Sequence, residues 1–168
     1  MKVLSFNVWG LPFISPNRRR RLKTIADELK KQEYDIIALQ EVWLKWDRDF
    51  LIQELNYPYH VTFKTDGLIM GSGMVVFSKF KPIETDFYQY AVTGFPHHIT
   101  EADFYARKGV GFVLFETPRG PLPFFTTHLI ARYGPRSRRD TNHIFRLAQV
   151  LEMVFFIRLK ATPHSFIL

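Results

Sequence analysis

Apolar residues follow two different periods along this chain. The runs Val3-Leu4-Ser5-Phe6-Asn7-Val8-Trp9-Gly10 and Asp35-Ile36-Ile37-Ala38-Leu39-Gln40-Glu41-Val42-Trp43 read as strands. Between them Leu22, Ile25, Ala26 and Leu29 recur at i, i+3, i+4 and i+7, one face of a helix from Asn17 to Gln32. The three make a strand–helix–strand unit. Each strand ends on a polar group, Asn7 in the first and Glu41 in the second. If the strands lie side by side these groups converge at one rim, where open α/β folds place ligand chemistry.

Farther on, Asp47 is placed to cap a short helix through Leu55, and Tyr59 to Phe63 reads as a strand before the polar turn Lys64-Thr65-Asp66-Gly67. Gly73 to Phe77 reads as a buried strand. Val110 to Phe115 and Phe124 to His128 are two more, separated by the turn-rich Thr117-Pro118-Arg119-Gly120-Pro121. A last helix runs from about Asp140 to Lys160, with Ile144, Leu147, Ala148 and Leu151 on its apolar face. The chain carries no repeat, low-complexity segment or internal linker.

An acid that closes an otherwise apolar strand needs a partner. Glu41 reads either as a salt-bridged or solvated residue or as a metal ligand, and carboxylate and amide oxygens suit Mg²⁺, with Mn²⁺ as a substitute. Asn is depleted in strands, which favours a functional reading of Asn7 over a turn-former before Gly10.

With 46% hydrophobic and 23% charged residues, the composition is that of a soluble domain, and 168 residues suit one domain. The absence of Cys excludes a disulfide framework, a thiolate metal site and a Cys nucleophile. Met1-Lys2-Val3-Leu4 runs straight into the first strand with no apolar leader, so the expectation is a cytoplasmic protein, with membrane association open. No window approaches the roughly 20 apolar residues of a membrane span.

The net charge is +7, with Arg18 to Arg21 in one block and Arg132, Arg136, Arg138 and Arg139 in another. This favours polyanionic partners, nucleic acid or an anionic membrane surface, without choosing between them. Cations in the first turn of a helix oppose its macrodipole, which favours phosphate contact for the first block over simple solvation. Trp43, Trp46, Phe50 and Tyr57 read by default as core, with a lipid interface as the alternative.

The segments S-F-N-V-W-G-L-P, D-I-I-A-L-Q-E-V-W, G-S-G-M-V-V-F-S-K and T-T-H-L, in that order, resemble the endonuclease/exonuclease/phosphatase superfamily. N-x-W-G-x-P, the basic R-R-x-R-L helix start and A-L-Q-E-V-W together are most similar to its neutral sphingomyelinase branch. The resemblance implies an α/β fold, a two-layer β-sandwich flanked by helices, and Mg²⁺-dependent hydrolysis of a phosphodiester, sphingomyelin being the substrate most resembled. It implies that Glu41 holds the metal, that Asn7 sits beside the metal and orients Glu41 or a metal-bound water, and that His128 donates to the phosphate. Lys108 lies where sphingomyelinase-like sequences carry a Gly- and Lys-containing turn, so it is a second phosphate-binding candidate, with a solvated loop charge as the alternative. His97-His98 reads as structural or solvated, because neighbours on an extended segment face opposite ways. Gly71-Ser72-Gly73 reads as a tight turn.

The family's Gly-Asp-x-Asn and C-terminal Ser-Asp-His motifs do not occur in this sequence. The expectation is therefore an incomplete sandwich, a C-terminally truncated domain over 1–168 that lacks its general base and water-orienting groups. Its seventeen Phe residues would have too few partners, leaving apolar surface uncovered. Two alternatives accompany the phospholipid reading: a nuclease or inositol-phosphate phosphatase on the same scaffold, and a catalytically inactive basic module that binds polyanions. The oligomeric state is not legible.

Overall fold

Strand β2 (Ile36–Gln40) is buried at every position, because both of its faces are covered. In the computed structural model, which describes residues 1–12, 14–63, 71–93, 108–132, 140 and 142–161, it is central to one of two sheets. Strand β1 (Val3–Asn7) pairs parallel to β2 with Asn7 opposite Gln40. On the other side β4 (Val75–Ser78) pairs antiparallel to β2, and β3 (Tyr59–Thr62) antiparallel to β4. The second sheet is an antiparallel meander of β5 (Lys81–Gln89), β6 (Gly109–Thr117) and β7 (Gly120–Thr127). Helices α1 (Arg18–Lys31) and α2 (Lys45–Leu55) cover the first sheet, and α3 (His143–Ala161) covers the second.

The two-residue alternation of a strand sorts side chains between layers. Along β2, Ile37 and Leu39 join Leu22, Ala26, Leu29, Leu51 and Leu55 under the helices. Ile36 and Ala38 point the other way and meet Val113 and Phe115 of β6 between the sheets. On β6 the alternate residues Val110, Phe112 and Leu114 pack with Phe156 of α3. Four layers result, helices on sheet on sheet on helix, as the sandwich expectation requires. Each fully buried Leu or Ile stabilises it by about 1.5–3 kcal/mol.

Several expectations differ in detail. Leu44, in extended backbone, holds the N-cap position of α2 without a side-chain cap bond; Asp47 lies in the first turn and pairs through Oδ2 with Arg18 Nε at 2.9 Å. That pair and the two bonds from Arg21 to the carbonyls of Val8 and Trp9 occupy two of the four N-terminal arginines of α1, while Arg19 and Arg20 stay exposed. Strand β5 was not anticipated. Its Glu84 and Asp86 break the apolar pattern, and it exists through pairing with β6 and through Lys160 of α3, which reaches both carboxylates.

The apolar stripe of α3 is real but faces outward: Ile144, Leu147 and Leu151 are 65%, 62% and 64% exposed, and Phe155 and Leu159 continue it. Gln149, Met153 and Phe156 face the sheet instead. Of the four aromatics weighed above, Trp43 is buried and Phe50 and Tyr57 pack on the helix-side core, but Trp46 is 70% exposed. The turn at 64–67, the His97-His98 pair, Arg136, Arg138, Arg139 and the tail 162–168 lie outside the described residues.

Candidate active site

Parallel pairing of β1 and β2 brings their C-terminal ends to one edge, and it sets Asn7 beside Glu41. Continued alternation would aim Glu41 at the helix layer, since it follows Gln40 of the sandwich face. Instead Glu41 adopts φ +65°, the left-handed region that non-glycine residues rarely enter. This turn swings its carboxylate toward the end of the second sheet, where His128 follows β7. Trp9 is also left-handed, at φ +49°. Such residues persist only where their surroundings over-determine them, and they concentrate at functional sites.

Gly10 and Gly73 make the turn possible. A Cβ at Gly10 would lie 2.2 Å from the Glu41 carbonyl oxygen, so only glycine lets the two loops approach. At Gly73, with φ +70°, a Cβ would come within 2.7 Å of the Trp43 ring. The Gly73 carbonyl accepts from Val42 N–H at 2.9 Å, which fixes the loop after Glu41. Ser72 is buried, donating to the Phe63 carbonyl, so the Gly71–Gly73 segment is the structural turn it resembled.

At the centre, Glu41 Oε1 accepts from Asn7 Nδ2 at 2.9 Å and lies 3.5 Å from His128 Nε2. Asn7 is held in turn, because its Oδ1 accepts the Trp9 N–H at 2.8 Å. The ring of Trp43 lies beside His128, with centroids 5.8 Å apart. Lys108 is buried, contrary to the solvated alternative, and donates to the Leu129 carbonyl at 3.0 Å. Its charge acts on Glu41. Burial pushes the Glu41 carboxyl up, but the bonds from His128 and Asn7 and the charges of His128 and Lys108 outweigh it and hold the group below the usual Glu range.

Glu41 is thus an anion at neutral pH, with one oxygen bonded and the other not. Its Oε2 is buried without a hydrogen-bond donor among the described residues. A buried anionic oxygen without a donor is costly, and a cation would satisfy it. No group of three or more His, Asp or Glu that could hold a metal occurs among the described residues. The carboxylate oxygen is a hard donor that suits a divalent cation with oxygen ligands.

Sequence reasoning missed two groups. Gln40 Nε2 donates to Ser5 Oγ at 3.1 Å and Thr126 Oγ1 at 3.2 Å, tying three strands and both sheets together beside Glu41. Gln149 of α3 accepts the Ile130 N–H through Oε1 at 2.9 Å and donates to the Val92 carbonyl at 2.8 Å, clamping the segments after β7 and β5. Gln40 was detectable as a polar residue on the sandwich face of an apolar strand. Gln149 gives no such signal, since polar residues are ordinary in helices.

Comparison with known proteins shows the family and the fold. A model of the Endonuclease/Exonuclease/phosphatase family matches residues 4–166. The chain is 39% identical over 152 residues to the inositol phosphosphingolipids phospholipase C of Schizosaccharomyces pombe, covering 89% of this chain and 35% of that protein. It is 31% identical over 157 residues to sphingomyelin phosphodiesterase 2 of Homo sapiens, covering 94% and 37%. It therefore spans little more than a third of the length of these curated relatives. Among solved structures, sphingomyelinase C from Streptomyces griseocarneus shares the fold with a TM-score of 0.78 at 18% identity, over 95% of this chain and 59% of that one. A beta toxin mutant from Staphylococcus aureus with bound magnesium ions gives 0.72 at 18%, over 94% and 59%.

Proposed function

The chain belongs to the Endonuclease/Exonuclease/phosphatase family, and on that footing we propose that it carries the metal-holding end of a divalent-metal-dependent phosphodiesterase acting on sphingolipid head groups. The observation that carries the proposal is the state of Glu41: an anion held on one oxygen by Asn7 and His128, its other oxygen buried with no donor among the described residues. The names of the relatives, sphingomyelin and inositol phosphosphingolipid hydrolases, support the substrate class. The magnesium of the structural neighbour supports the choice of ion, with Mn²⁺ as substitute.

In this reading Glu41 Oε2 holds the cation, which when bound neutralises charge on the phosphoryl oxygens. Asn7 fixes the carboxylate from the side, its amide kept in one orientation by the Trp9 N–H. His128 donates through Nε2, to Glu41 without substrate and to a phosphate oxygen with it. Lys108, pinned to the Leu129 carbonyl, adds a fixed positive charge. The Gly-Asp-x-Asn and Ser-Asp-His motifs, which would orient the water and transfer the proton, do not occur in these 168 residues, so the role proposed for this chain is metal and phosphate binding.

The test is a titration of the purified chain with Mg²⁺ and Mn²⁺, followed by calorimetry and by the imidazole resonances of His128, alongside the Glu41→Gln variant. A saturable response in the parent that Glu41→Gln abolishes supports the site. An equal response in both overturns it. Full-length protein assayed on sphingomyelin, inositol phosphosphingolipid and duplex DNA then selects the substrate, and hydrolysis of DNA alone would replace the lipid reading with a nuclease.

A further inference from the structure

Because β1 and β2 are parallel, the segments that follow them leave the first sheet at the edge that carries Glu41. Those segments hold exposed apolar side chains: Trp9 at 45%, Ile14 at 60% and Trp46 at 70%. Trp46 stands over a groove of about 310 Å³ between α1 and α2, whose apolar lining is Leu22, Trp46 and Phe50 and whose polar lining is Arg19, Lys23 and Asp47. The acid is tied off by Arg18 at 2.9 Å. Lys23 makes an exposed contact of 4.0 Å with Asp27, and Arg19 is exposed.

We propose that this groove is where the protein seats on an anionic bilayer, Arg19 and Lys23 taking a lipid phosphate and Trp46 entering the interfacial layer. The proposal rests on the lipid-phosphodiesterase reading only for the choice of a bilayer over other polyanions. Isolated exposed apolar residues are ordinary on protein surfaces. Here an indole and a pair of cations line one depression, which is the combination that a membrane interface rewards. Indole rings partition to the headgroup level, and basic side chains near an anionic surface add attraction that decays within a Debye length. Aromatic and cation act on different layers of the same lipid. Trp46 is placed for this because the short loop from Glu41 ends on α2, so the metal-holding carboxylate and the groove share one edge of the molecule.

The experiment uses the full 168-residue chain with vesicles of phosphatidylcholine and phosphatidylserine whose acyl chains carry bromine. Trp46 emission should be quenched on binding, and Trp46→Ala should remove most of that quenching. Arg19→Ala with Lys23→Ala should weaken binding about 20- to 30-fold, each cation being worth roughly 1 kcal/mol near such a surface. Exposed positions make these variants safe to fold, which thermal melting verifies. Binding within twofold of the parent in both variants, or binding that leaves Trp46 unquenched, overturns the inference. So does an equal loss of duplex DNA and vesicle binding, which would mark a general polyanion surface. Glu41→Ala separates this inference from the function: unchanged vesicle binding supports the groove, and a fall as large as that of the groove variants reassigns the contact to the catalytic edge.

Discussion

Asn7 donates through Nδ2 to Glu41 Oε1 at 2.9 Å while its own oxygen accepts the Trp9 N–H, so the amide can serve the carboxylate in only one orientation. In the proposed site Asn7 is therefore a positioning residue for Glu41, with its oxygen already engaged.

Asn7→Ala should therefore weaken divalent binding by about 10- to 100-fold without abolishing it, the usual cost of removing a group that orients a metal ligand. Glu41→Gln should abolish it. Calorimetry on the two variants distinguishes the roles; equal losses would make Asn7 a ligand in its own right.

Gly73→Ala should destabilise the fold by about 2–4 kcal/mol. Roughly 1–2 kcal/mol comes from the left-handed backbone and the rest from a Cβ pressed against the Trp43 ring. Urea unfolding measures it. A change below about 0.5 kcal/mol would show that Trp43 yields freely, and its hold on the His128 ring would be loose as well.

Asp35 titrates below the ordinary Asp range, chiefly because its carboxylate accepts the Lys2 N–H at 2.7 Å; burial opposes this and the bond and charge of Lys79 reinforce it. A lowered folded pKa means stability that is fully present above the unfolded value of about 3.9 and is lost as pH falls through the folded value. Asp35→Asn should cost about 1–2 kcal/mol at neutral pH, the worth of a hydrogen bond to a charged group. The deficit should shrink toward the acid end. Thermal melts of both proteins from neutral to acidic pH would refute this if the two curves ran parallel.

Along α3, Leu151→Gln with Phe155→Gln should raise solubility and leave the melting temperature nearly unchanged, because both side chains are exposed. The control is Phe156→Ala, one residue along and buried, which should cost about 3–5 kcal/mol. Size-exclusion profiles and melts read the two effects separately.

Purified alone, the 168-residue chain should hydrolyse sphingomyelin at least about 10²–10⁴-fold more slowly than a complete relative, the typical worth of general acid–base catalysis. Robust Mg²⁺-dependent turnover abolished by Glu41→Ala would sink this prediction.

Much of the fold was legible because its central elements are locally consistent. The unbroken apolar run of β2 and the one-faced helix before it specify a buried strand and a covering layer wherever they occur, and the order of four short motifs identified the family. Strand β5 was not legible, since Glu84 and Asp86 interrupt its pattern and both pair with Lys160, far along the chain. The buried face of α3 was misread because that helix is apolar on two sides, and period alone cannot say which side meets the sheet.

Residue type and order sufficed to single out Asn7 and Glu41, since a polar group ending an apolar strand is a local anomaly, whereas His128 was named only through the resemblance of its Thr-Thr-His-Leu segment to the family. Their convergence needed the three-dimensional chain. The φ of +65° at Glu41, the burial of Lys108 and the exposure of Trp46 each depend on neighbours brought together from distant segments. Local sequence sets what a residue prefers, and packing decides which face it shows and what charge it meets.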